Sequence, residues 1–548
     1  MSAHEPFTVS DVRVFIGSGR VLASAHVRVE DGRIAAVGDA TVRRPGDVLV
    51  DGRDATLLPG LIDAHVHLVP GCTQLAATFG VTTVLDMFSK PEVIDPERAA
   101  VAASARGEGP VRADLRTSSI GATAPGGHPT MAYSPFPYVT GPQDAGRFVQ
   151  DRVAEGATHL KLIYDDGSGS MLNIPSLDVP TMEALVVAAH SHGLTVAAHV
   201  STASGAVTVA RCGVDLLAHA PFDRMSDTQI SQVAETGVAV IATLSILDGF
   251  PAPDGVMPLL SQPPLAQRLP PRWRRVLQRQ ATRWMPPEPP DGAVHGYNAL
   301  ALHEAGVRVL AGTDVPNPGL VFGASLHREL QHLVRAGFTP TDALVAATSL
   351  PAQIFGLTDR GVIQAGARAD LLLLSGDPTA DIAATQELDS VWVLGQLVDG
   401  DAYPGSAVER AGIAWQKRST AKIVNAIKDM WPDFPTPQDV TREDGELLGR
   451  VVPTSGGWQA MTTFNAPLGT VTTEDAAIEL LHARGLACLA EPWWARTLDD
   501  SAWREAELVE VGPDRIRLRW MDHMVDQPPS GQWFDLDDID LTNKAPTS

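Results

Sequence analysis

Cysteine is scarce in this chain. Only three cysteines occur among 548 residues, Cys72, Cys212 and Cys488, and they are far apart, with no CxxC pair. This number and spacing exclude a disulfide framework of the kind that holds small secreted domains together. We therefore expect a protein of the reducing cytoplasm.

Long apolar runs and targeting signals are also missing. No stretch approaches the roughly 18 uninterrupted apolar residues that a membrane helix requires. The N-terminal residues show no basic stretch followed by an apolar core, so no signal peptide is predicted. These absences favour a cytoplasmic protein with no membrane partner.

Positive charge is in short supply as well. The chain has 42 Lys and Arg against 65 Asp and Glu, a formal net charge of −23. This balance argues against nucleic acid or an anionic membrane as the main partner, and its simplest consequence is solubility. The hydrophobic fraction of 44% is ordinary for a globular protein, and the length predicts two to four folding units.

Two flanking segments have the alternation of short β-strands. Apolar and polar residues alternate from residue 7 to about 57, with a tight turn predicted at Asp31-Gly32. A similar pattern returns from 361 to 403. We expect segments 1–57 and 358–405 to combine into one small β-sandwich.

The segment between them, 58–357, alternates apolar strands with helical stretches. Repeated β-then-α order over this length predicts a (β/α)₈ TIM-like barrel, with its chemistry at the carboxyl ends of the strands. The candidate strands include Thr82–Asp86, Leu115–Thr117, His159–Ile163, Thr195–His199, Leu216–His219, Ala239–Thr243 and Val307–Ala311.

A proline-rich insertion interrupts the barrel pattern at 250–292, where eleven prolines occur. Loops on the carboxyl side of barrel strands commonly line the active site, so the insertion could be a lid. A surface excursion or part of a subunit contact is the alternative.

The segment 413–548 is predicted to be an appended α+β domain of unknown role. It contains eight of the eleven tryptophans, enough large apolar groups for a separate core. Three arginines alternate with apolar residues along one predicted strand, Arg515, Arg517 and Arg519. They form either a solvated strand face or a surface for an anionic partner.

The most informative residues are polar side chains at predicted strand ends. His65 and His67 end an apolar strand, and residues at i and i+2 of a strand point to one face, so both histidines could bind one ion. Neutral imidazoles suit zinc or a similar divalent metal. His199 and His219 each close a later apolar strand, and their pairing with the first two histidines favours metal ligation over a core role.

Lys161 lies among apolar residues in the middle of a strand, where an ammonium ion is costly unless it is paired. Either Asp165 or Asp166 supplies an ion-pair partner, or the lysine is carboxylated by CO₂ and its carbamate bridges two metals. Asp314 follows another apolar strand. Its carboxylate could bind a metal and shuttle a proton from water to a leaving group, or cap a turn.

These residues resemble the amidohydrolase superfamily, in the branch with two metals bridged by a carboxylated lysine. The resemblance covers roughly residues 7–403 and includes the motifs LeuProGlyLeuIleAspAlaHisValHis at 58–67, AlaGlyThrAspValPro at 311–316, the stretch 326–348 and the stretch 361–374. It implies two divalent ions, with zinc expected. The implied ligands are His65, His67 and Asp314 for the first metal, His199 and His219 for the second, and Lys161 as the bridge.

Within the superfamily, the chain is similar to imidazolonepropionase-like and Xaa-Pro dipeptidase-like amidohydrolases. Their Gly-Gly-His loop is matched by Gly126, Gly127 and His128, so His128 is expected to polarise the scissile carbonyl or orient the substrate, unless this segment is only a turn. The chain departs from the dipeptidase pattern after His199 and at Ala218.

The predicted activity is hydrolysis of a C–N bond in an amide, small peptide or cyclic amide, not restricted to peptides, through a metal-bridging hydroxide. The alternatives are an ester or lactone hydrolase using the same site, a single-metal deaminase, and a non-enzymatic binding protein working through its C-terminal segment. A small-molecule substrate and a homo-oligomer are expected, without nucleic acid.

Overall fold

The computed structural model of the chain describes residues 5–165, 167, 174–252, 255–281, 291–428, 437–454, 457–464, 466–498, 502–512, 515–522, 525, 527–536 and 538–542. The chain forms two compact units. The first comprises residues 1–250, 258–268 and 288–423, and the second comprises 251–257, 269–287 and 424–548. Among the described helices, none is long and apolar enough to cross a membrane.

The N-terminal segment forms strands, as its alternating pattern predicts. A turn with positive φ at Asp31 and Gly32 joins the second strand to the third, which confirms the tight turn expected there. The strands are β1 (Phe7–Phe15), β2 (Val21–Glu30), β3 (Arg33–Gly38), β4 (Val48–Asp51) and β5 (Ala55–Pro59).

The middle of the first unit contains eight parallel strands. They form a three-stranded sheet, β6-β7-β8, and a five-stranded sheet, β9-β10-β11-β12-β13. Single parallel bridges connect the two sheets, at Val66 with Val315 and at Ala122 with Leu162. The strands are β6 (Leu61–Val66), β7 (Val81–Asp86), β8 (Asp114–Thr117), β9 (His159–Ile163), β10 (Thr195–His199), β11 (Leu216–Ala218), β12 (Ala239–Ile241) and β13 (Val309–Leu310).

This order of strands and helices is a TIM-barrel-like α/β fold. The hydrogen bonding between the described strands leaves it as two sheets linked by bridges and not as one closed sheet. Each candidate strand is confirmed within two residues at either end, because each is a short, mostly apolar segment bounded by polar or turn residues.

Helices follow most of these strands, as the alternating pattern predicts. Short 3₁₀ helices also occur, for example Leu244–Gly249 after β12. The helices are α1 (Cys72–Thr78), α2 (Pro91–Ala105), α3 (Thr130–Tyr133), α4 (Ala145–Ala154), α5 (Val179–Ser191), α6 (Ala203–Arg211), α7 (Asp227–Ala234), α8 (Pro263–Arg268), α9 (Pro271–Gln280), α10 (Gly292–Glu304), α11 (Ala324–Ala336), α12 (Pro340–Ala346) and α13 (Ser349–Ile354).

The strands after the barrel are β14 (Leu371–Ser375), β15 (Leu388–Val393) and β16 (Gln396–Leu397). β14 pairs antiparallel with β5, so the two flanks share one sheet. All eight strands of the two flanks are hydrogen-bonded in a single sheet, in the segments predicted to form a small β-sandwich. Its core includes Phe7 stacked on Trp392, with ring centroids 5.2 Å apart.

A long helix, α14 (Ala407–Lys428), continues the chain. The division between the two units falls within it, between Ile423 and Val424, so the boundary predicted at 413 lies inside a helix. Its first half therefore belongs to the barrel-containing unit.

The second unit is rich in antiparallel strands around a core that includes Trp493, Leu481 and Ile516. Two arginines of the predicted basic strand pair with acids, Arg517 with Glu510 at 2.5 Å and Arg519 with Glu507 at 3.1 Å. The elements are β17 (Gln438–Thr441), β18 (Leu447–Thr454), β19 (Gly457–Met461), β20 (Pro467–Val471), α15 (Glu474–Arg484), β21 (Trp493–Thr497), β22 (Arg504–Val511), β23 (Arg515–Trp520), β24 (Gln532–Asp535) and β25 (Ile539–Thr542).

The proline-rich insertion supplies a helix to this second unit. Trp273 of α9 is buried, and Arg272 Nε donates to Asp538 Oδ1 at 2.7 Å. Arg275 donates to the backbone oxygen of Ile539. The described helix α9 is thus a structural part of the C-terminal unit, a role that neither the lid nor the surface-excursion interpretation included.

Candidate metal centre

The first group of candidate ligands is assembled by backbone contacts between the first and last barrel strands. Asp314 N donates to His65 O at 2.8 Å, and His67 N donates to Val315 O at 2.7 Å. Asp314 itself has φ +61°, a left-handed conformation that few non-glycine residues adopt. These contacts place two histidines and one carboxylate at the carboxyl ends of adjacent strands.

Three side chains converge closely enough to hold one metal ion. His67 Nε2 lies 2.9 Å from Asp314 Oδ1, and His65 Nε2 lies 3.3 Å from the same oxygen. One potential ligand atom from each of the three lies within 4.8 Å of the others. Burial acts to raise the pKa of Asp314, but the His67 hydrogen bond and nearby positive charges outweigh it and lower that pKa to about 2.

His199 and His219 lie beside this group. His219 Nε2 is 3.1 Å from His199 Nδ1 and 4.0 Å from Asp314 Oδ2. The ring of His219 also stacks on that of His65, with centroids 4.8 Å apart. The two predicted ligand sets are therefore adjacent.

The hydrogen bonds of His219 determine which nitrogen carries its proton. Thr243 Oγ1 donates to Ala242 O at 2.8 Å, so it is left to accept from His219 Nδ1 at 2.6 Å. Burial lowers the pKa of His219 well below its usual value, which keeps the ring neutral. With the proton on Nδ1, Nε2 carries the lone pair that a metal ligand requires, and it faces His199 Nδ1.

Lys161 is buried in β9, and its Nζ has no hydrogen-bond partner among the described residues. Burial lowers the pKa of this amine to about 7, against the opposing attraction of Asp314 and Asp86. The suggested partner Asp165 instead faces His199, with Oδ2 3.7 Å from Nε2. Asp166 lies outside the described residues. The ion-pair alternative with Asp165 is therefore wrong.

His128 lies next to the second pair of histidines. Its ring stacks on His199 with centroids 4.8 Å apart, and Thr123 Oγ1 donates to the His128 backbone oxygen at 2.7 Å. Burial, followed by the charge of His199, lowers the pKa of His128 to about 3. The side chain is a neutral imidazole beside the candidate ligands.

The similarity of the chain to known proteins agrees with this geometry. The profile of the Amidohydrolase family matches residues 56–398, which include all six candidate ligands. The chain belongs to the amidohydrolase family. It is accordingly an amidohydrolase, in a class of enzymes that hydrolyse carbon–nitrogen bonds.

Individual relatives of this amidohydrolase are distant. An imidazolonepropionase from Salinispora arenicola is 26% identical over 386 residues, covering 64% of this chain and 86% of the relative. Adenine deaminase 3 from Rhizobium meliloti is 24% identical, and the match covers 70% of this chain and 56% of the relative. A solved structure of a Xaa-Pro dipeptidase with bound methionine has a TM-score of 0.58 at 21% identity, and the match covers 72% of this chain and 100% of the dipeptidase. This similarity supports the fold alone.

Two features of the amidohydrolase site were missed from the sequence. Buried Asp63 accepts from His65 N at 3.2 Å, Thr313 N at 3.0 Å and Thr313 Oγ1 at 2.7 Å, and so joins the segments that carry the first ligands. Its position inside an apolar strand was the available signal. Tyr133 lies with its ring centroid 6.3 Å from that of His67, but no sequence pattern marked it.

Proposed function

We propose that this amidohydrolase uses two divalent metal ions, zinc being the expected metal, to hydrolyse a C–N bond in an amide, small peptide or cyclic amide. The observation that carries the proposal is the convergence of the candidate His and Asp ligands, together with buried Lys161, whose Nζ has no hydrogen-bond partner among the described residues. The residues proposed to hold the ions are His65, His67 and Asp314 for one, His199 and His219 for the other, and Lys161 between them.

The chemistry of the donor set fits divalent ions. Lys161 Nζ is buried without a described hydrogen-bond partner, an unfavourable arrangement unless another group satisfies it. Burial and then the Lys161 charge lower the pKa of His65 well below its usual value, so this ring is neutral. Neutral imidazoles and an ionised Asp314 are the ligand forms that zinc requires.

Carboxylation of Lys161 is part of the proposal. An unprotonated Nζ attacks CO₂, a C–N bond forms, one proton is released and the lysine becomes a carbamate with two oxygens. A free amine offers one donor atom, whereas a carbamate would offer two oxygens, so a carboxylated Lys161 could help to hold both ions. The pKa of about 7 for this buried amine supplies the unprotonated nucleophile near neutral pH.

The metals, when bound, supply Lewis-acid polarisation of a carbonyl oxygen and an acidified water. Asp314 accepts the proton that the attacking water loses and returns it to the departing nitrogen. The water oxygen bonds to the carbonyl carbon, the C–N bond breaks, and the nitrogen leaves protonated. The neutral ring of His128 donates a hydrogen bond to the carbonyl oxygen as negative charge develops on it.

A single-metal deaminase is the second candidate because adenine deaminase 3 is among the relatives. The surroundings of His199 favour the two-metal hydrolase. The residues directly after it carry hydroxyls and no carboxylate, and Ser201 Oγ lies 3.2 Å from His199 Nε2. A deaminase would also leave Lys161 without a role. Ester or lactone hydrolysis would use the same groups.

The proposal extends to the architecture around the site. We propose that the two parallel sheets are arcs of one closed (β/α)₈ barrel, and that the second unit, which includes residues 424–548, is an appended domain. The enzyme is proposed to act in the cytoplasm on a small molecule, as a homo-oligomer.

A substrate panel with controlled metal content tests the function. Dipeptides, N-acyl amino acids, lactams, matched esters and adenine would be incubated with enzyme as purified, after chelation, and after Zn²⁺ is restored. We expect release of an amine or ring-opened product from at least one amide class, lost on chelation and recovered with zinc. Ester cleavage alone would favour the esterase alternative, and ammonia from adenine the deaminase.

Matched histidine variants show whether the activity belongs to this site. His219→Ala removes a proposed ligand and is expected to abolish hydrolysis. His192→Ala changes an exposed histidine at the end of α5 and is expected to retain it. Hydrolysis that survives His219→Ala or chelation would overturn the proposal.

A further inference from the structure

A cavity of about 150 Å³ lies beside the candidate metal centre. The barrel side of its wall includes Leu68, Ser89 and Tyr133. Leu68 directly follows His67, and the ring of Tyr133 lies 6.3 Å from that of His67. Two residues of the cavity wall, Leu68 and Tyr133, therefore lie next to the candidate ligand His67, although none of the candidate ligands lines the cavity itself.

The opposite wall comes from α14, beyond the segment that matches the family. Trp415, Arg418, Ser419 and Lys422 line the cavity, and the family match ends at residue 398. Their spacing of three and four residues puts them on one face of the helix. This wall is a feature of this chain that the family profile does not include.

Close contacts fix the first half of α14 against the loops that carry the ligands. Gln416 Nε2 donates to Pro316 O at 3.4 Å, two residues after Asp314. Gly412 packs so closely that an added Cβ would lie 2.5 Å from Pro70 O. The helix thus holds its cavity-lining face in a fixed position relative to the metal ligands.

This cavity concentrates positive charge in a protein whose net charge is −23. Lys90, Arg418 and Lys422 line it, with Glu92 as the one acidic side chain. None of the three cations forms an ion pair with a carboxylate of the described residues, and Arg418 lies 5.8 Å from the ring centroid of Trp415. Cations left unpaired beside an active site are available to an anionic ligand.

We propose that α14 forms an anion subsite that binds a carboxylate of the substrate, with Arg418 and Lys422 as its cationic groups. Arg418 offers paired N–H donors that match a carboxylate, and Lys422 adds a second positive charge. Trp415 packs against the part of the substrate between the carboxylate and the scissile bond. The inference rests on the proposed hydrolase function and specifies its substrate class, a carboxylate-bearing amide.

Binding of a matched acid and amide tests the subsite without requiring turnover. The probes are 3-phenylpropionate and 3-phenylpropionamide, titrated into the metal-loaded, full-length enzyme by calorimetry. We expect the acid to bind at least about tenfold more tightly, since hydrogen bonds between charged groups are stronger than neutral ones. Equal binding of the two probes to the wild type would overturn the proposal.

Charge-removing variants separate this subsite from the metals, which also attract carboxylates. The double variant Arg418→Gln/Lys422→Gln is expected to lose the preference for the acid while keeping its metal content. Arg410→Gln, on the same helix but outside the cavity lining, is expected to retain it. A preference that survives in the double variant would assign the carboxylate to the metals and overturn the proposal.

Failure of the subsite and failure of the hydrolase assignment give different results. If the subsite is wrong, the double variant still hydrolyses amides with unchanged selectivity between acid and amide substrates. If the hydrolase assignment is wrong, neither wild type nor variant releases an amine, whatever the outcome of the acid titration.

Discussion

A buried carboxylate two residues before the first histidine holds the candidate ligands together. Asp63 accepts hydrogen bonds from the backbone of His65 and from both the backbone and hydroxyl of Thr313. His65, in β6, is two residues before His67, and Thr313 directly precedes Asp314. One side chain outside the proposed ligand set therefore fixes the spacing of three ligands.

Replacing this carboxylate tests that positioning role. Asp63→Ala leaves buried donors of Thr313 unsatisfied, so we expect a loss of about 1–3 kcal/mol in the free energy of unfolding. We also expect weaker metal retention in dialysis against a chelator. Asp51→Ala, which removes an exposed partner of Arg53, is the control and should change neither quantity. Wild-type metal retention in Asp63→Ala would contradict the assigned role.

A second buried carboxyl, Glu329 of α11, is predicted to make stability depend on pH. Ser245 N donates to Glu329 Oε2 at 2.6 Å, while Oε1 has no described partner. Burial, only partly opposed by the hydrogen bonds from Ser245, raises the pKa of Glu329 to about 8. The folded state then holds a proton that the unfolded state loses above its pKa of about 4.3.

Stability should therefore fall as the pH rises from about 4.3 towards 8, by up to about 1.4 kcal/mol per pH unit from this group. Glu329→Gln cannot ionise, so urea denaturation across this pH window should show a flatter dependence than wild type. Exposed Glu235→Gln should follow the wild-type curve. A parallel pH dependence in Glu329→Gln and wild type would show that Glu329 ionises normally.

At the scale of elements, the barrel strands were predictable because burial on both faces leaves an apolar run that ends abruptly. β9 and β10 have the predicted bounds, and the polar residues at strand ends converge as the barrel geometry requires. The supports around the ligands were not predictable in the same way. Thr313, a partner of Asp63, and Ser245, the partner of Glu329, lie 250 and 84 residues away in the chain, so local patterns do not reveal these contacts.

The contacts of α9, the helix of the insertion, could not be predicted from local sequence patterns. The prolines indicated an excursion from the barrel, but the partners of α9 lie more than 250 residues later in the chain. Arg275 reaches Ile539 O and Asp540, and Arg279 Nη2 donates to Leu536 O at 2.6 Å. Such pairings depend on the fold of the second unit, which the sequence of the insertion does not contain.

Removing one anchor of α9 is expected to loosen β25. Arg275→Ala deletes charged hydrogen bonds in a largely buried position, costing about 2 kcal/mol. Hydrogen exchange followed by mass spectrometry should be faster in β25 and the adjacent β21, with the barrel strands unchanged. Arg274→Ala, the neighbouring cation, is the control. Unchanged exchange in β25 would mean that α9 is not an essential part of this unit.

For the whole molecule, the family match indicates the class of reaction, and the proposed anion subsite concerns the substrate. The amidohydrolase segment, 56–398, contains every candidate metal ligand. Residues beyond this segment line the cavity next to His67, where α14 contributes Arg418 and Lys422. The sequence did not predict that α14 lies beside the barrel, because this position is set by packing between residues that are distant in sequence.

The central claim is a two-metal site bridged by Lys161, and metal content measures it most directly. Inductively coupled plasma mass spectrometry on wild type, Lys161→Ala and the matched control Lys422→Ala would count ions per chain. We predict about two ions in wild type and in the control, fewer in Lys161→Ala, and partial recovery when propionate supplies a free carboxylate. Wild-type metal content in Lys161→Ala would contradict the bridge, and absence of metal from all three would contradict the metal centre itself.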